Sequence, residues 1–225
     1  MNNYFIILAA GSGKRFGSKK PKQYLNYKNK QLFEHSMEKA LNSKLFKKIV
    51  LVLDNPKKIK NKYSNKIIII KGGKERSDSS LIALKKINKY KPTNVFIHDA
   101  ARPHFSIKLL KNILKNLKTY KAVVPVLSST DSIKYRFNNQ IFNLNRKNSL
   151  LTQTPQAFRF KELYNLAKKH KNKITDEASI FINQNYKIKF ISGEIRNNKI
   201  TFLEDLKNSK IYYGIGFDIH KLIKN

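Results

Sequence analysis

Short apolar runs alternate with amphipathic stretches along most of this chain. The predicted strands lie at residues 4–10, 48–53, 66–70, 94–98, 122–126 and 187–192. The predicted helices lie at residues 31–41, 78–90, 106–120 and 160–170, with a short helix from residue 175 and a last one at 203–211. The first strand is apolar throughout, which is typical of a strand buried on both faces. This alternation predicts an α/β fold with a doubly wound, mainly parallel sheet.

The alternation is interrupted at residues 131–146. Apolar and polar residues alternate there from Ile133 to Phe137, Asn138 and Asn139 mark a turn, and a second short run follows. This pattern predicts a protruding β-hairpin rather than a crossover connection. Because such a hairpin needs something to cover its apolar side, we expect a homodimer in which a second subunit does so.

Length and composition limit the class of protein. The 225 residues can bury a sizeable core, and 40% hydrophobic residues are typical of globular proteins. The absence of cysteine excludes disulfides, thiolate metal sites and a cysteine nucleophile. The apolar run at residues 4–10 is too short to cross a membrane and shows no signal-cleavage pattern. We therefore expect a cytoplasmic protein without a membrane segment.

The formal net charge of +33 has two interpretations. Nucleic-acid-binding proteins neutralise phosphates with Lys and Arg, so this class has to be considered. However, only seven of the 47 basic residues are Arg, and the Lys residues are scattered among abundant Asn and Ile. Base-reading proteins rely on the bidentate guanidinium of Arg. The composition therefore favours biased residue usage on solvated faces, with no specific nucleic-acid partner.

A glycine-rich turn follows the first predicted strand at residues 11–17. Its glycine spacing fits neither the dinucleotide fingerprint nor the phosphate loop. The backbone N–H groups of such a turn can nevertheless hold phosphates. With Arg15 and Lys22 close by, residues 8–16 and 21–25 resemble the signature of nucleotidyltransferases that activate sugars and alcohols.

Six further segments occur in the order and spacing of one family. They are GGKERSDS at 72–79, HDAARP at 98–103, DSIK at 131–134, TPQAF at 154–158, TDEA at 175–178 and NKIT at 198–201. Over about residues 4–211 the chain resembles the 2-C-methyl-D-erythritol 4-phosphate cytidylyltransferases. The resemblance implies a Rossmann-like nucleotidyltransferase fold, with a cytidylyltransferase domain at 1–211 and a dimerisation arm at 131–153. It also implies transfer of CMP from CTP to methylerythritol phosphate, with release of pyrophosphate, in non-mevalonate isoprenoid biosynthesis.

This chemistry fits a chain without a Ser–His or Cys–His arrangement. A phosphate monoester has a second pKa of about 6, so the attacking oxygen is largely ionised at pH 7 without a general base. Catalysis must then come from positioning and from stabilising charge. Arg15 and Lys22 are suited to the α-phosphate of CTP, and the resemblance gives them this catalytic role. The resemblance likewise implies that Arg146 and Lys199 hold the methylerythritol phosphate.

The resemblance also implies binding residues. Those for CTP are Ala9, Ala10, Gly11, Gly13, Gly73, Ser79 and Asp99, and those for the second substrate are Arg102, Ser132, Thr154 and Thr175. Asp99 ends a predicted strand, where open α/β sheets place ligands, and the family places it near the ribose and the Mg²⁺ of the triphosphate. His98 is expected to pack in the core. Lys74 and Ser132 depart from the usual residues of the family, although Ser132 keeps the hydroxyl group.

The end of the chain carries a second resemblance. YGIGFDIH at residues 213–220 resembles the first strand of the 2-C-methyl-D-erythritol 2,4-cyclodiphosphate synthases. In that family an Asp-x-His pair, matched here by Asp218 and His220, supplies two ligands of a catalytic zinc. Residues 212–225 are therefore predicted to be the stub of such a domain, whose vestigial pair would need Zn²⁺ only if the domain were complete.

Three alternatives are weighed against this assignment. They are a basic nucleic-acid-binding protein, a nucleotidyltransferase for another sugar or alcohol phosphate, and a catalytically inactive homologue. The second alternative would share residues 11–15 and Lys22 but has no reason to carry the segments at 100–103 and 154–156. The third is disfavoured because all the predicted charged site residues are present.

Overall fold

A mainly parallel sheet of eight strands is the centre of the structure, a computed structural model that describes residues 2–11, 13, 16, 21–59, 65–170 and 175–207. The strands are β1 (Asn3–Ala9), β2 (Asn26–Tyr27), β3 (Lys30–Gln31), β4 (Lys48–Leu53), β5 (Ile67–Lys71), β6 (Asn94–Asp99), β7 (Ala122–Ser128), β8 (Ile133–Phe137), β9 (Gln140–Leu144), β10 (Leu150–Thr152), β11 (Gln156–Arg159) and β12 (Ile188–Ser192). The helices are α1 (Leu32–Asn42), α2 (Arg76–Asn88), α3 (Ile107–Asn116), α4 (Phe160–Lys169), α5 (Glu177–Ile182) and α6 (Glu204–Lys207).

The large sheet has the order β10-β7-β11-β6-β1-β4-β5, and β12 also pairs with β7. Strands β5, β4, β1 and β6 are parallel neighbours, whereas β11 lies between β6 and β7 and is antiparallel to both. The predicted α/β class with a mainly parallel sheet is thus confirmed. Within the described residues, no helix combines the length and the apolar character that a membrane crossing requires.

Alternate side chains of β1 enter two apolar layers on opposite faces of the sheet. Phe5 and Ile7 pack in the layer that contains α1 and α3. Tyr4 and Ile6 pack in the layer that contains α2, α4 and α5. All four side chains are fully buried, which explains why the sequence of this strand is apolar at consecutive positions. The helices therefore cover both faces, as a doubly wound fold requires.

Several elements differ from the prediction. The strands β10 and β11 were not predicted, because β11 has no β-branched residue and Pro155 directly precedes it. The short pair β2 and β3 was also missed. Helix α3 ends at Asn116 rather than near residue 120, and α6 begins at Glu204, with residues 208–211 outside the described part.

The predicted hairpin is confirmed. Strands β8 and β9 pair antiparallel with each other and form a separate two-stranded sheet. Asn138 and Asn139 join them with φ angles of 45° and 61°. Two consecutive residues in this left-handed region are typical of the tight turn that matches the twist of a hairpin.

The turn after β5 packs closely against neighbouring side chains. A Cβ atom on Gly72 would lie 2.5 Å from Cβ of Ala10 and 2.7 Å from Oγ of Ser79. The Gly72 N–H also donates to the carbonyl of Leu53 at 2.7 Å. By contrast, a Cβ on Gly11 would meet no atom of the described residues within 4 Å. A glycine at position 72 therefore lets the start of α2 approach the end of β1.

We predict that Gly72→Ala destabilises the protein. The added methyl group must displace Ala10 or Ser79, which should lower the free energy of unfolding by about 1–3 kcal/mol. Gly11→Ala is the matched control and should change it by less than about 0.5 kcal/mol. Urea denaturation measures both values, and equal stabilities of the two variants would show that this turn relaxes without cost.

Candidate active site

A cavity of about 360 Å³ opens where β1 and β6 end. Its lining comes from the ends of these two strands, the glycine-rich turn, the start of α2 and the segment after β12. Nine of the predicted site residues line it: Ala9, Ala10, Gly11, Gly13, Lys22, Gly73, Ser79, Asp99 and Lys199. The carboxyl edge of the parallel strands is where ligands of such sheets bind.

The remaining predicted site residues do not line this cavity or are not described. Arg15, Asp218 and His220 lie outside the described residues, as does the predicted stub at 212–225. Ser132 and Arg146 lie on or beside the exposed hairpin, and an Arg146 nitrogen donates to the carbonyl of Thr130 at 3.0 Å.

Three predicted residues for the second substrate lie behind or beside the cavity. Arg102 donates to the carbonyls of Asn197 and Thr152, at 2.9 and 3.4 Å. Thr154 is buried, and its hydroxyl accepts the Asp99 N–H at 3.1 Å. The Thr175 hydroxyl lies 3.4 Å from that of Ser179.

Local hydrogen bonds hold the described residues of the glycine-rich turn, Gly11, Gly13 and Phe16. Gly13 has a φ of +67°, which glycine adopts without strain, and its carbonyl accepts the N–H of Phe16 at 2.7 Å. The Gln23 amide donates to the carbonyl of Gly11 at 3.0 Å. Gln23 belongs to the 3₁₀ turn Lys22–Tyr24, so this bond ties the glycine-rich segment to the turn that carries Lys22.

The opposite wall is the start of α2. The backbone N–H of Gly73 donates to Oγ of Ser79 at 3.1 Å, and the Ser79 hydroxyl donates to the carbonyl of Glu75 at 3.1 Å. A Cβ on Gly73 would lie 2.3 Å from Cβ of Asp78, so only glycine fits there without displacement. Ser79 therefore holds the Gly73 backbone at the cavity wall.

Asp99 lies between two cations at the floor of the cavity. Its Oδ1 accepts from Nε of Arg76 at 3.1 Å, and its Oδ2 accepts from Nζ of Lys199 at 2.7 Å. Burial opposes ionisation of this carboxyl group, but the charges of Arg76 and Lys199 outweigh it and hold the pKa of Asp99 well below its ordinary value. The side chain is therefore an anion throughout the physiological pH range.

Arg76 is a site residue that the sequence analysis did not assign. One of its terminal nitrogens lies 3.0 Å from each carboxylate oxygen of Glu177, which is only 1% exposed. Burial would lower the pKa of Arg76, but Glu177 and Asp99 together raise it above the ordinary value. Its place in the family segment at 72–79 was the signal that could have identified Arg76 as a site residue. No local sequence pattern indicates its partner, which is 101 residues away.

His98 packs behind the cavity, as predicted. Its ring is fully buried and meets the Phe105 ring edge-on at 4.6 Å between centroids. Its nitrogens lie within hydrogen-bond distance of Ser36, Thr154 and the carbonyl of Arg102. Burial lowers the pKa of His98 to about 3, so the ring is neutral.

The segment after β12 closes the third side. The ammonium group of Lys22 donates to the carbonyl of Ile200 at 2.7 Å, while the Asp205 carboxylate accepts the N–H of Thr201 at 2.7 Å. Among the described residues, the cavity lining thus carries four cationic side chains, Lys22, Lys74, Arg76 and Lys199, against the two carboxylates of Glu75 and Asp99. This excess of positive charge suits an anionic ligand such as a polyphosphate.

A magnesium ion is compatible with this donor set. No group of three or more His, Asp or Glu side chains that could hold a metal by themselves occurs among the described residues. Mg²⁺ usually keeps several waters and is bound by one or two carboxylates together with substrate phosphates. Asp99 supplies one ionised carboxylate to a mainly cationic cavity. It therefore fits a Mg²⁺ ion that is bound by a carboxylate together with substrate phosphates.

Comparison with known proteins gives consistent results. The model of the family "2-C-methyl-D-erythritol 4-phosphate cytidylyltransferase" matches residues 4–214. A bifunctional enzyme IspD/IspF of Pelagibacter ubique is 47% identical over 228 residues, which is 100% of this chain and 62% of that protein. A 2-C-methyl-D-erythritol 4-phosphate cytidylyltransferase of Caldicellulosiruptor bescii is 37% identical, over 92% of this chain and 95% of that protein.

Solved structures agree with the sequence relatives. The bifunctional IspDF of Campylobacter jejuni superposes with a TM-score of 0.81 at 31% identity, covering 92% of this chain and 54% of that one. The 2-C-methyl-D-erythritol 4-phosphate cytidylyltransferase of Francisella tularensis gives a TM-score of 0.81 at 29% identity, with 93% and 98% covered. The chain therefore spans less than two thirds of its bifunctional relatives. With the family matched over nearly its whole length, this chain belongs to the 2-C-methyl-D-erythritol 4-phosphate cytidylyltransferases.

Proposed function

We propose that this chain transfers CMP from CTP to 2-C-methyl-D-erythritol 4-phosphate, giving 4-diphosphocytidyl-2-C-methyl-D-erythritol and pyrophosphate. The observation that carries the proposal is the cationic cavity at the sheet edge, which Lys22 lines beside a glycine-rich turn and in which Lys199 binds Asp99. Family membership supports the choice of nucleotide and acceptor.

In this reaction an oxygen of the methylerythritol phosphate forms a bond to the α-phosphorus of CTP. The bond from that phosphorus to the bridging oxygen breaks, and pyrophosphate leaves with the electron pair. Because the attacking oxygen is already ionised, the protein has to position two anions and neutralise their charge. Lys22, held at the cavity edge by the carbonyl of Ile200, is suited to the α-phosphate.

Recognition of the nucleotide base would use the wall opposite Lys22. Backbone groups at Ala9, Ala10 and Gly73 line the cavity, and the absence of a side chain at Gly73 permits close approach. Ser79 supports this wall through its bond to the Gly73 N–H. We expect these groups to bind cytosine mainly through the backbone.

Asp99 would hold Mg²⁺ together with the phosphates of CTP. The bound ion would supply charge neutralisation on the triphosphate. The chain's own contribution is to keep this carboxylate ionised and oriented by Arg76 and Lys199.

The hairpin supports a dimeric protein. Its paired residues Tyr135 and Phe142 share one face with Phe137, and all three rings are 45–54% exposed. A two-stranded hairpin is at best marginally stable by itself, and large exposed apolar patches mark interaction surfaces. We infer that the arm packs on a second copy of this chain and carries Arg146 and Ser132 toward the partner's cavity.

Two finer expectations stay predictions. The resemblance of residues 213–220 to a cyclodiphosphate synthase strand, with Asp218 and His220 as zinc ligands, falls outside the described residues. The bifunctional relatives are named for a second activity, which in this chain would require a complete cyclodiphosphate synthase domain. The cytoplasmic location also stays a prediction.

We predict that pyrophosphate release requires both CTP and methylerythritol phosphate. Each of the four nucleoside triphosphates is assayed with Mg²⁺, with and without the acceptor, and only the CTP reaction with acceptor should turn over. Equal or faster release with UTP or ATP, or with a hexose 1-phosphate as acceptor, would contradict the proposed function.

We predict that Lys22→Ala lowers kcat by about 10²-fold, as for the loss of one preorganised transition-state contact. CTP should still bind, because the glycine-rich turn and Asp99 remain. The matched control is Lys30→Ala, since Lys30 forms a surface ion pair with Glu38 away from the cavity, and it should leave kcat unchanged. A raised KM for CTP with an unaltered kcat would make Lys22 a binding residue only.

We predict that active sites are shared between two chains. Inactive Lys22→Ala and inactive Arg146→Ala chains are unfolded and refolded together, and native mass spectrometry identifies the heterodimers. If the arm crosses the two-fold axis, one of the two sites in each heterodimer is wholly wild type. Activity should then return to up to about half of the wild-type value per heterodimer. Confirmed heterodimers without any activity would place both residues in the site of one chain.

A further inference from the structure

Glu177 is a buried charge outside the cavity. It begins α5 and is 1% exposed, and it is the only fully buried Asp or Glu among the residues that the structure describes. It does not line the cavity, whereas its partner Arg76 does. The guanidinium of Arg76 thus connects an interior carboxylate to the floor of the cavity.

The guanidinium of Arg76 contacts Glu177 and Asp99 through different nitrogens. One terminal nitrogen of Arg76 lies 3.0 Å from both oxygens of Glu177, and Nε donates to Oδ1 of Asp99 at 3.1 Å. Because the guanidinium is planar and rigid, holding one terminal nitrogen on Glu177 restricts the direction of the Nε–H bond that Asp99 accepts. The orientation of Asp99 therefore depends on a residue that no ligand in the cavity can touch.

Stability alone is a weak reason for such an arrangement. Replacing a buried ion pair by apolar side chains of similar volume is often neutral or stabilising, because desolvation offsets the Coulomb attraction. The other terminal nitrogen of Arg76 is in addition buried and finds no hydrogen-bond partner among the described residues, which costs further free energy. A role in the adjoining cavity explains why the Arg76–Glu177 pair is present although its burial costs free energy.

The charge of Glu177 also determines which carboxylate neutralises the guanidinium of Arg76. With Glu177 ionised, Arg76 is neutralised from the interior side, and Asp99 keeps negative charge for a ligand. Without that charge, Asp99 alone would balance Arg76, and less of its negative charge would remain for a metal ion or for the ribose. This loss would weaken the contacts of Asp99 with the nucleotide.

We propose that Glu177 is a positioning residue for nucleotide binding, which acts by fixing the guanidinium of Arg76 and, through it, the carboxylate of Asp99. The inference rests on the CTP site proposed above and adds a residue to it that lies behind the cavity wall. It concerns the affinity for CTP more than that for the second substrate, because Asp99 is assigned to CTP, whereas the second substrate is also assigned Arg146 on the hairpin arm.

The test is Glu177→Gln, which keeps the shape of the side chain and removes its charge. We expect the KM for CTP to rise about tenfold, as is usual when a supporting partner of a ligand-binding group is lost. The KM for methylerythritol phosphate should rise clearly less than the KM for CTP, because the contacts of Arg146 are unchanged. Titration calorimetry of CTP with Mg²⁺, without the acceptor, should show the same loss of affinity. Glu162→Gln is the matched control, because Glu162 pairs with Lys121 at 3.8 Å outside the cavity, and it should change neither constant.

A second variant separates positioning from folding. The double substitution Arg76→Met with Glu177→Leu removes both charges and leaves apolar side chains, so the melting temperature should stay within about 5 °C of wild type. It should bind CTP at least about tenfold more weakly. Wild-type CTP affinity in either folded variant would overturn the proposal, as would equal changes in both KM values. Failure of both variants to fold would make the pair structural and would also overturn it.

The outcome for the wild-type protein keeps the two proposals apart. If the wild-type protein releases pyrophosphate from CTP while Glu177→Gln binds CTP normally, only the positioning role fails. If the wild-type protein neither binds nor turns over CTP, the proposed function fails and the positioning role fails with it.

Discussion

The ion pairs of Arg76 connect parts of the chain that are distant in sequence. From the start of α2, its guanidinium reaches Glu177 at the start of α5 and Asp99 at the end of β6, and Asp99 in turn binds Lys199. Charges of opposite sign alternate along this row, so each stabilises the ionised form of its neighbour. Burial strengthens these attractions because it lowers the local dielectric. The cavity therefore has a fixed, charged floor before any ligand enters.

The sheet topology explains how these residues meet at one edge. Strands β1 and β6 are parallel, so their carboxyl ends lie side by side, with Leu8 opposite Asp99. Strand β11 runs antiparallel to β6, and the residues just before it consequently lie at the same edge. This places the Thr154 hydroxyl beneath the Asp99 backbone, where it accepts the N–H. Strand β12 is parallel to β7 and delivers the segment with Lys199 from the other side. One reversed strand thus adds residues to the ligand edge without breaking the parallel order around it.

Sequence periodicity predicted the long elements because burial on both faces of the sheet leaves a continuous apolar signal, as in β1. It could not predict β11, whose four residues carry no strand pattern and are held by pairing with β6, some 60 residues earlier in the chain. The family segments predicted Lys22, Asp99 and Lys199 as site residues, and the structure brings these three residues to one cavity. The pairing of Arg76 with Glu177 has no local signature, because it follows from the position of α2 and α5 in the same layer of the fold and not from any helical or strand period.

The hairpin arm is ordered locally but is not buried. The Asn138–Asn139 turn and the contact of Tyr135 with Phe142 set the pairing of β8 with β9. They provide no cover for rings that are about half exposed, and free energy from apolar burial has to come from another surface. If that surface belongs to a second copy, two-fold symmetry makes each arm cover its partner. Arg146 follows β9, does not line its own chain's cavity, and would move with the arm. The contact between the arm and the second copy would then both bury the exposed rings and complete the site for the second substrate.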